Sequence, residues 1–227
     1  MPSLLRKQNV IWKLSVAVYA AALFAISSSA WSTSFTIVDG QFVTSQQTLS
    51  SNETGTINSG GDLTTSVNAI YANSASNITV LNSGAITTSG TSGYGIYSRS
   101  NSGTNTLTNS GTITTSGSSG YGIYSYDNNG TEAITNSGTI TTSGSSGYGI
   151  FSAYNSDTST LTNSGTITTS GDSSRGIYSA LNSGTSTITN SGTITTSGSS
   201  GYGIYSNLNS GTETITNSGT ITASGSS

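Results

Sequence analysis

The chain repeats itself every 27 residues over most of its length. The triplet Asn-Ser-Gly begins at six positions with this constant spacing: Asn82, Asn109, Asn136, Asn163, Asn190 and Asn217. Five full repeats cover residues 82–216, and an irregular earlier unit of 24 residues begins at Asn58. Fixed periods of about 20–50 residues are typical of solenoids and related arrays. The repeat therefore predicts a fold made of stacked, equivalent coils.

Aliphatic side chains recur at three positions of the repeat, counted from its first asparagine. Most of them lie in Thr-, Tyr- and Ser-containing runs that favour strands, and clusters of Asn, Ser and Gly between the runs favour turns. The pattern predicts three short strands and three corners in each coil. The residues that define the three buried columns include Ile113, Ile140 and Ile167 at position 5, Ile123, Ile150 and Ile177 at position 15, and Leu107, Ile134 and Leu161 at position 26.

Stacking explains why the repeat is so regular. One coil leaves its backbone groups unpaired, whereas a second coil placed ~4.8 Å along the axis pairs every strand in register. Alternation along each strand then directs isoleucine inward and its neighbours outward. We therefore expect an all-β parallel solenoid with about three short strands per 27-residue coil. Intrinsic disorder is the alternative that the Ser/Thr/Gly-rich composition invites, but disorder gives no reason to keep three aliphatic columns in step.

Two asparagine columns accompany the isoleucines. Stacked side-chain amides can hydrogen-bond into ladders, although asparagine also tolerates the left-handed backbone of a tight corner. We favour ladders and keep the turn-forming role as the alternative. The ladder residues predicted in the middle of the stack are Asn109, Asn136, Asn163 and Asn190 at position 1, and Asn128, Asn155 and Asn182 at position 20.

The first 30 residues have the layout of a secretory signal peptide. Three basic residues precede an apolar run from Leu14 to Ile26, and Ser28 and Ala30 suit a cleavage site. The apolar run is shorter than the ~20 residues that a membrane anchor needs. We predict three segments: a signal peptide (1–30), an N-terminal cap with irregular first coils (31–81) and the regular repeats (82–227).

The residue types exclude several kinds of chemistry. The chain has no cysteine and no histidine, which removes thiolate sites, disulfides and the usual general base. After residue 30, two arginines stand against eight acids, a net charge of −6, so nucleic-acid binding has no electrostatic support. The acids are scattered, and we expect Asp172 and Arg175 to form only an exposed ion pair. We predict no enzyme activity, no cofactor and no metal in this part of the chain.

Three surface features are candidates for ligand contact. The first is an outward aromatic column, which could grip sugars or a partner or merely shield its own sheet. Tyrosines at position 13 lie two residues before the inward isoleucine, and strand alternation would direct them inward as well. Whether they face inward or outward therefore stays open. The second is the corner at positions 18–24, where the copies differ most, either because this corner sets ligand specificity or because an unconstrained loop drifts. The third is a set of Thr-x-Thr pairs, such as Thr106 and Thr108, which also occur in ice-binding solenoids. The contact residues predicted are Tyr97, Tyr124, Phe151, Tyr178, Tyr205, Tyr126, Asp127 and Glu132.

The runs "TITNSGTITTSG" and "GIYS", and the entry segment from Phe35 to Gly61, resemble the passenger domains of Gram-negative autotransporters, the type V secretion proteins. The resemblance covers the chain from about Ser34 onward. It implies a right-handed, pertactin-like parallel β-helix at the cell surface or outside the cell. Passengers of this kind usually precede a C-terminal membrane barrel. Because the sequence lacks barrel strands and stops within a repeat, we expect a fragment whose membrane contact would depend on a missing barrel.

These observations predict an exported, monomeric β-helix stalk that belongs to an adhesin and contacts a host-cell or glycan surface. One alternative is a purely structural or self-associating surface fibre. A second is a spacer for a downstream enzyme domain. An ice-binding solenoid is the remaining alternative.

Overall fold

Three parallel β-sheets form the protein. The computed structural model describes residues 33–226, which contain strands and corners but no helix. The described residues therefore hold no helix that is long and apolar enough to cross a membrane. The predicted signal peptide lies outside the described residues.

The chain visits the three sheets in turn and adds one strand to each sheet with every coil. The first sheet contains β1 (Phe35–Ile37), β4 (Thr54–Ile57), β7 (Thr79–Asn82), β10 (Asn105–Asn109), β13 (Glu132–Asn136), β16 (Ser159–Asn163), β19 (Ser186–Asn190) and β22 (Glu213–Asn217). The second contains β2 (Phe42–Val43), β5 (Asp62–Thr65), β8 (Ala85–Thr88), β11 (Thr112–Thr115), β14 (Thr139–Thr142), β17 (Thr166–Thr169), β20 (Thr193–Thr196) and β23 (Thr220–Ala223). The third contains β3 (Gln47–Leu49), β6 (Ile70–Asn73), β9 (Ile96–Arg99), β12 (Ile123–Tyr126), β15 (Tyr148–Ala153), β18 (Arg175–Ala180) and β21 (Tyr202–Asn207).

The register follows the sequence repeat. Ile113 pairs with Ile140, and Ile140 pairs with Ile167, each 27 residues further along. The coils before residue 82 are shorter: Phe35 pairs with Gly55, and Gly55 pairs with Val80. The predicted all-β parallel solenoid with three strands per coil is thereby confirmed. The rest of each coil serves as the crossover that parallel strands require.

The isoleucine columns fill the interior. The members of positions 5, 15 and 26 are buried from Ile86 to Ile194, with at most 1% of their surface exposed. Threonines beside them face outward, as in β17, where Ile167 is buried and Thr166 and Thr168 are partly exposed. Each isoleucine therefore packs on its own copy in the coils above and below, which is why the repeat tolerates little change at these positions.

Asparagines at position 1 form a side-chain ladder inside the corner before the second sheet. Asn109 Nδ2 donates to Asn136 Oδ1 at 2.7 Å, and Asn136 Nδ2 donates to Asn163 Oδ1 at the same distance. The ladder extends from Asn82 to Asn217. Each amide from Asn82 to Asn190 thus donates to the next one along the axis, and these five side chains are buried, whereas Asn217 at the end of the ladder is exposed.

Asparagines at position 20 use a different arrangement. The backbone N–H of Asn155 donates to Asn182 Oδ1 at 2.8 Å, and Asn155 Nδ2 donates to Ser152 Oγ at 2.8 Å. These amides therefore link a side chain to the backbone of the coil below and do not bond to one another.

The left-handed backbone lies at other residues than the two asparagine columns. The residue at position 19 has a left-handed backbone in every regular coil. Examples are Tyr154, Leu181 and Leu208, whose φ values are 54–58°. Position 11 adopts it at Ser146, Ser173 and Ser200. The left-handed residue of the corner is therefore the neighbour of the position 20 asparagine and not the asparagine itself, and the position 1 asparagines and their neighbours have no positive φ.

Candidate functional site

The outer side of the third sheet carries two adjacent columns of aromatic side chains, which we call the aromatic face. Successive ring centroids in the position 16 column lie 4.9–5.5 Å apart. The two columns also touch, with the Tyr94 and Tyr97 centroids 5.7 Å apart. The face is therefore one continuous stack along the axis. Its members are Tyr71, Tyr97, Tyr124, Phe151, Tyr178 and Tyr205, and beside them Tyr94, Tyr121, Tyr148 and Tyr202.

A glycine directs both aromatic columns outward. In β15, Gly149 and Ile150 are both buried, whereas Tyr148 and Phe151 are partly exposed. A Cβ on Gly149 would lie 2.3 Å from Ile167 Cγ2, so this inward position has room only for glycine. The strict alternation of the strand is thus interrupted by one residue, and tyrosine at position 13 joins the outer face despite its parity with isoleucine.

The rings cover one another's faces over the first part of the stack. The interplanar angles are 9° between Tyr71 and Tyr97, 13° between Tyr97 and Tyr124, and 4° between Tyr124 and Phe151. Only ring edges and phenol hydroxyls remain for an outside partner there. The parallel stacking in this part of the face favours the shielding role, and contact of these residues with a ligand stays a prediction.

The phenols of Tyr121 and Tyr124 on the aromatic face stay protonated at neutral pH. Burial raises the pKa of Tyr121 and of Tyr124 well above the usual value, and the neighbouring tyrosines raise it further. An ionised phenol would lose hydration and meet other phenols at close range. Around Tyr121 and Tyr124 the face therefore offers neutral hydroxyl groups.

Arg175 interrupts the position 13 column. Its guanidinium carbon lies 4.6 Å from the ring centroid of Tyr205 and 4.9 Å from that of Tyr178, and Nη1 donates to the hydroxyl of Tyr148 at 2.6 Å. Asp172 Oδ1 instead accepts from the backbone N–H of Ser199 at 3.0 Å. The expected ion pair between Asp172 and Arg175 is thus corrected, because the arginine turns toward the rings.

Arg99 also lies on the aromatic face, with its guanidinium carbon 5.4 Å from the Tyr126 centroid. Both basic residues of the described chain therefore contact tyrosine rings.

The corner at positions 18–24 has an exposed part and a buried part. Asp127 is exposed, and Ser100 Oγ donates to its Oδ2 at 3.1 Å. Tyr126 is partly exposed and lies 5.0 Å from Tyr154 between ring centroids. Glu132, in contrast, has 0% of its surface exposed. Its expected role as a ligand contact is corrected, since position 24 faces the interior.

Glu132 belongs to a polar column inside the solenoid. Ser125 Oγ donates to Glu132 Oε2, and Asn128 Nδ2 donates to Glu132 Oε1 at 3.2 Å. Burial raises the pKa of Glu132 from its usual 4.5 to about 7, and the hydrogen bond from Ser125 opposes this rise. The carboxyl group therefore loses its proton near neutral pH without a cation to balance it.

Sequence reasoning missed this internal column, although a signal for it exists. Serine occupies position 17 in all five repeats, at Ser98, Ser125, Ser152, Ser179 and Ser206. The first four of these serines are buried and bond to the asparagine three residues later. A constant serine two residues after an inward isoleucine faces the same side of the strand, which indicates a buried polar residue with a fixed hydrogen-bond partner.

The described residues contain no group of three or more His, Cys, Asp and Glu that could hold a metal ion. The arrangement instead offers two kinds of exposed surface, the aromatic face with the corner beside it and the two threonine-rich faces.

A comparison with known protein families finds a match for these coils. The family model that matches is the BigA third pectate lyase-like domain, which aligns with residues 25–185. The match covers more than half of the chain and includes Arg175 and the coils below it. Neither a curated protein nor a solved structure shows a significant match.

Proposed function

Because the chain belongs to the family of the BigA third pectate lyase-like domain, we propose that it is the stalk of a bacterial surface adhesin, exported as part of an autotransporter passenger. The family match and the solenoid together support an exported or surface β-helix protein. The autotransporter route rests on the resemblance of the repeats to such passengers, and the adhesin role rests on the exposed faces described above.

The register of the coils is the observation that carries the stalk role. Every regular coil repeats the same hydrogen bonds with its neighbours, and each one lengthens the rod by ~4.8 Å. The outward positions can change without disturbing the ladders, because the stacking acts through inward residues. Such a rod projects variable surface positions away from the cell at a constant spacing, which favours weak contacts that are repeated many times.

Surface accessibility tests the stalk role directly. The full-length protein should be produced in a Gram-negative host, and intact cells should be treated with a protease that cannot enter them. We expect the repeats to be cleaved in intact cells, and a version without residues 2–30 to be protected inside the cell. Protection of the parent protein would contradict the proposal.

Exchange of the exposed corner residues tests the adhesin role. Positions 18, 19 and 21–23 of all repeats should be replaced by those of the repeat that contains Ala180, leaving the inward positions 20 and 24 unchanged. We expect the folded variant to adhere less to host cells or immobilised glycans. Equal adhesion of the variant and the parent would assign binding to another surface.

A self-associating fibre is the second candidate, and the threonine faces favour it. From β7 and β8 onward, the outward residues of the first and second sheets include no charged side chain; examples are Thr139 and Thr141 in β14, and Thr160 and Thr162 in β16. Flat, uncharged sheet faces with identical stacked side chains can pair with a second copy.

Sedimentation velocity separates this candidate from the monomeric stalk. If the second sheet pairs between copies, Thr141→Lys with Thr168→Lys should reduce the fraction of dimers and larger species. Ser118→Lys with Ser145→Lys, at an exposed corner, adds the same two positive charges and serves as the control. A monomeric parent at all concentrations would exclude this candidate.

A further inference from the structure

The aromatic face brings phenol groups of neighbouring coils into direct contact. The Tyr121 and Tyr148 ring centroids lie 4.6 Å apart with 12° between the ring planes, and those of Tyr94 and Tyr121 lie 5.0 Å apart with 21°. All three side chains are partly exposed. Such near-parallel contacts join one group of tyrosines, which we call the phenol stack: Tyr71, Tyr94, Tyr97, Tyr121, Tyr124 and Tyr148.

The phenol stack ends at Tyr148. In the position 16 column, Phe151 follows Tyr124, and in the position 13 column, Arg175 follows Tyr148. The next tyrosine, Tyr178, is tilted by 59° against Tyr148. A benzene ring without a hydroxyl group is much harder to oxidise than a phenol. An oxidising equivalent that moves up the stack therefore stops at Tyr148.

Arg175 contacts the oxygen atom of this last phenol. Its Nη1 donates to the Tyr148 hydroxyl at 2.6 Å, which leaves the hydroxyl proton free to go to another acceptor. The oxygen of a phenoxyl radical has no proton and accepts hydrogen bonds only, so the bond from Nη1 is kept when the proton leaves. Tyr148 is thus the phenol of the stack whose radical is stabilised by a neighbouring side chain.

We propose that Tyr121 and Tyr148 are joined by a dityrosine bond when the protein meets hydrogen peroxide and a haem peroxidase. Each phenol loses one electron and its hydroxyl proton, and these two hydrogen atoms reduce one peroxide molecule to two water molecules. The two phenoxyl radicals then form a carbon–carbon bond between the ring positions next to their oxygens. The hydrogens at these positions move to the oxygens as protons and restore both phenols.

The stack favours this bond over a bond between two chains. Tyr121 and Tyr148 are held in contact by the register of the coils, so their coupling needs no encounter of two molecules. Their centroid distance is the shortest within the phenol stack. Electron transfer between touching rings also allows a radical formed on Tyr94 or Tyr124 to reach this pair.

The bond would fix the register of two coils from outside. It links residues that are 27 positions apart in the chain, and it leaves the inward isoleucines and asparagines unchanged. A covalent link of this kind restricts the unfolded chain, so the oxidised protein should unfold at a higher temperature than the untreated one. The inference does not depend on the adhesin role.

Treatment of the purified chain with hydrogen peroxide and a haem peroxidase tests the inference. The variant is Tyr121→Phe, and Phe151 shows that the stack accepts a ring without a hydroxyl group between two tyrosines. The matched control is Tyr178→Phe, which removes one phenol from the same face but outside the phenol stack. Circular dichroism establishes that both variants are folded. The measurements are dityrosine fluorescence, intact mass and the identity of cross-linked peptides.

We expect the parent to become fluorescent as a single chain that has lost two hydrogen atoms, with the peptide of Tyr121 joined to that of Tyr148. Tyr121→Phe should lose this cross-linked peptide and at least about threefold of the fluorescence, and Tyr178→Phe should behave like the parent. Fluorescence only in covalent dimers would overturn the proposal. So would a chain that gains oxygen without a cross-link, a cross-link between other tyrosines, or equal yields in the two variants.

Discussion

Single asparagines hold neighbouring coils together in two ways. At position 1, one amide bonds to the next amide, so that removing a member leaves the acceptor on one side without a partner and the donor on the other side with only its longer bond to a backbone carbonyl. At position 20, the side-chain oxygen accepts from a backbone N–H of the preceding coil, and the side-chain nitrogen donates to a serine hydroxyl of the same coil. Removing this amide therefore breaks one bond between coils and one bond within its own coil. The difference arises from the corner geometry, and the letters of the repeat do not reveal it.

Asn136→Ala should therefore lower the free energy of unfolding by about 1–3 kcal/mol, because it leaves Asn163 Oδ1 buried without a partner and leaves Asn109 Nδ2 only its longer bond to Thr139 O at 3.3 Å. The control is Ser145→Ala in an exposed turn, which should change stability by less than about 0.5 kcal/mol. Unfolding in urea, followed by circular dichroism, measures both. Equal effects would argue against an energetic role for the ladder.

Glu132 should make the stability of the solenoid depend on pH. Because the folded protein raises the pKa of this carboxyl from 4.5 to about 7, the folded state binds a proton that the unfolded state has already released. The contribution of Glu132 to the free energy of unfolding is fully present below pH 4.5, decreases as the pH rises, and is lost above about pH 7. The loss amounts to about 3 kcal/mol.

Urea unfolding at pH 4.5 and pH 8 tests this dependence. Glu132→Gln should abolish the part of the pH dependence that comes from this residue, and Glu132→Ser, which supplies the residue of Ser159 and Ser186, should do the same. The quantity to compare is the difference in unfolding free energy between parent and variant at each pH. A difference that stays constant with pH would show that Glu132 does not titrate in this range.

At the scale of the strands, the third sheet departs from simple alternation. Isoleucine at position 15 predicts an inward residue, and Ile150 is buried as expected. Gly149 beside it is also inward, since a Cβ built on it would lie 2.3 Å from Ile167 Cγ2. The alternation of side chains along the strand cannot reveal such an interruption, because a glycine has no side chain whose hydrophobicity would indicate whether the position faces inward or outward. The constant glycine at this position was the available signal.

Gly149→Ala should consequently destabilise the protein by about 1–3 kcal/mol, since the new methyl group would overlap Ile167 and the carbonyl of Gly176, 2.6 Å away. Thr141→Ala, with an outward side chain on the second sheet, is the control and should stay within about 0.5 kcal/mol of the parent. Thermal unfolding of both variants provides the comparison. A Gly149→Ala protein as stable as the parent would mean that the strand has room for a side chain here.

At the scale of the whole molecule, the repeat alone predicts the architecture. The 27-residue spacing and the aliphatic columns through Ile113, Ile123 and Leu107 lead to three parallel sheets, because each residue must fit its own copy. The direction of Glu132 and the surroundings of Arg175 could not be predicted in the same way. Each of them is a departure from the repeat, and its environment depends on how one particular corner packs.

Distances between coils test the central claim, which is that residues 27 apart lie directly above one another. The chain contains no cysteine, so pairs of nitroxide labels can be placed at will on the outward threonines of the second sheet. The register pair is Thr114 and Thr141, with backbones ~4.8 Å apart, and Thr168 lies one coil further, ~9.6 Å from Thr114. Electron paramagnetic resonance should show strong spin–spin broadening for labels at 114 and 141, and much weaker broadening for labels at 114 and 168. Equal spectra for the two pairs, or an unbroadened register pair, would contradict the solenoid.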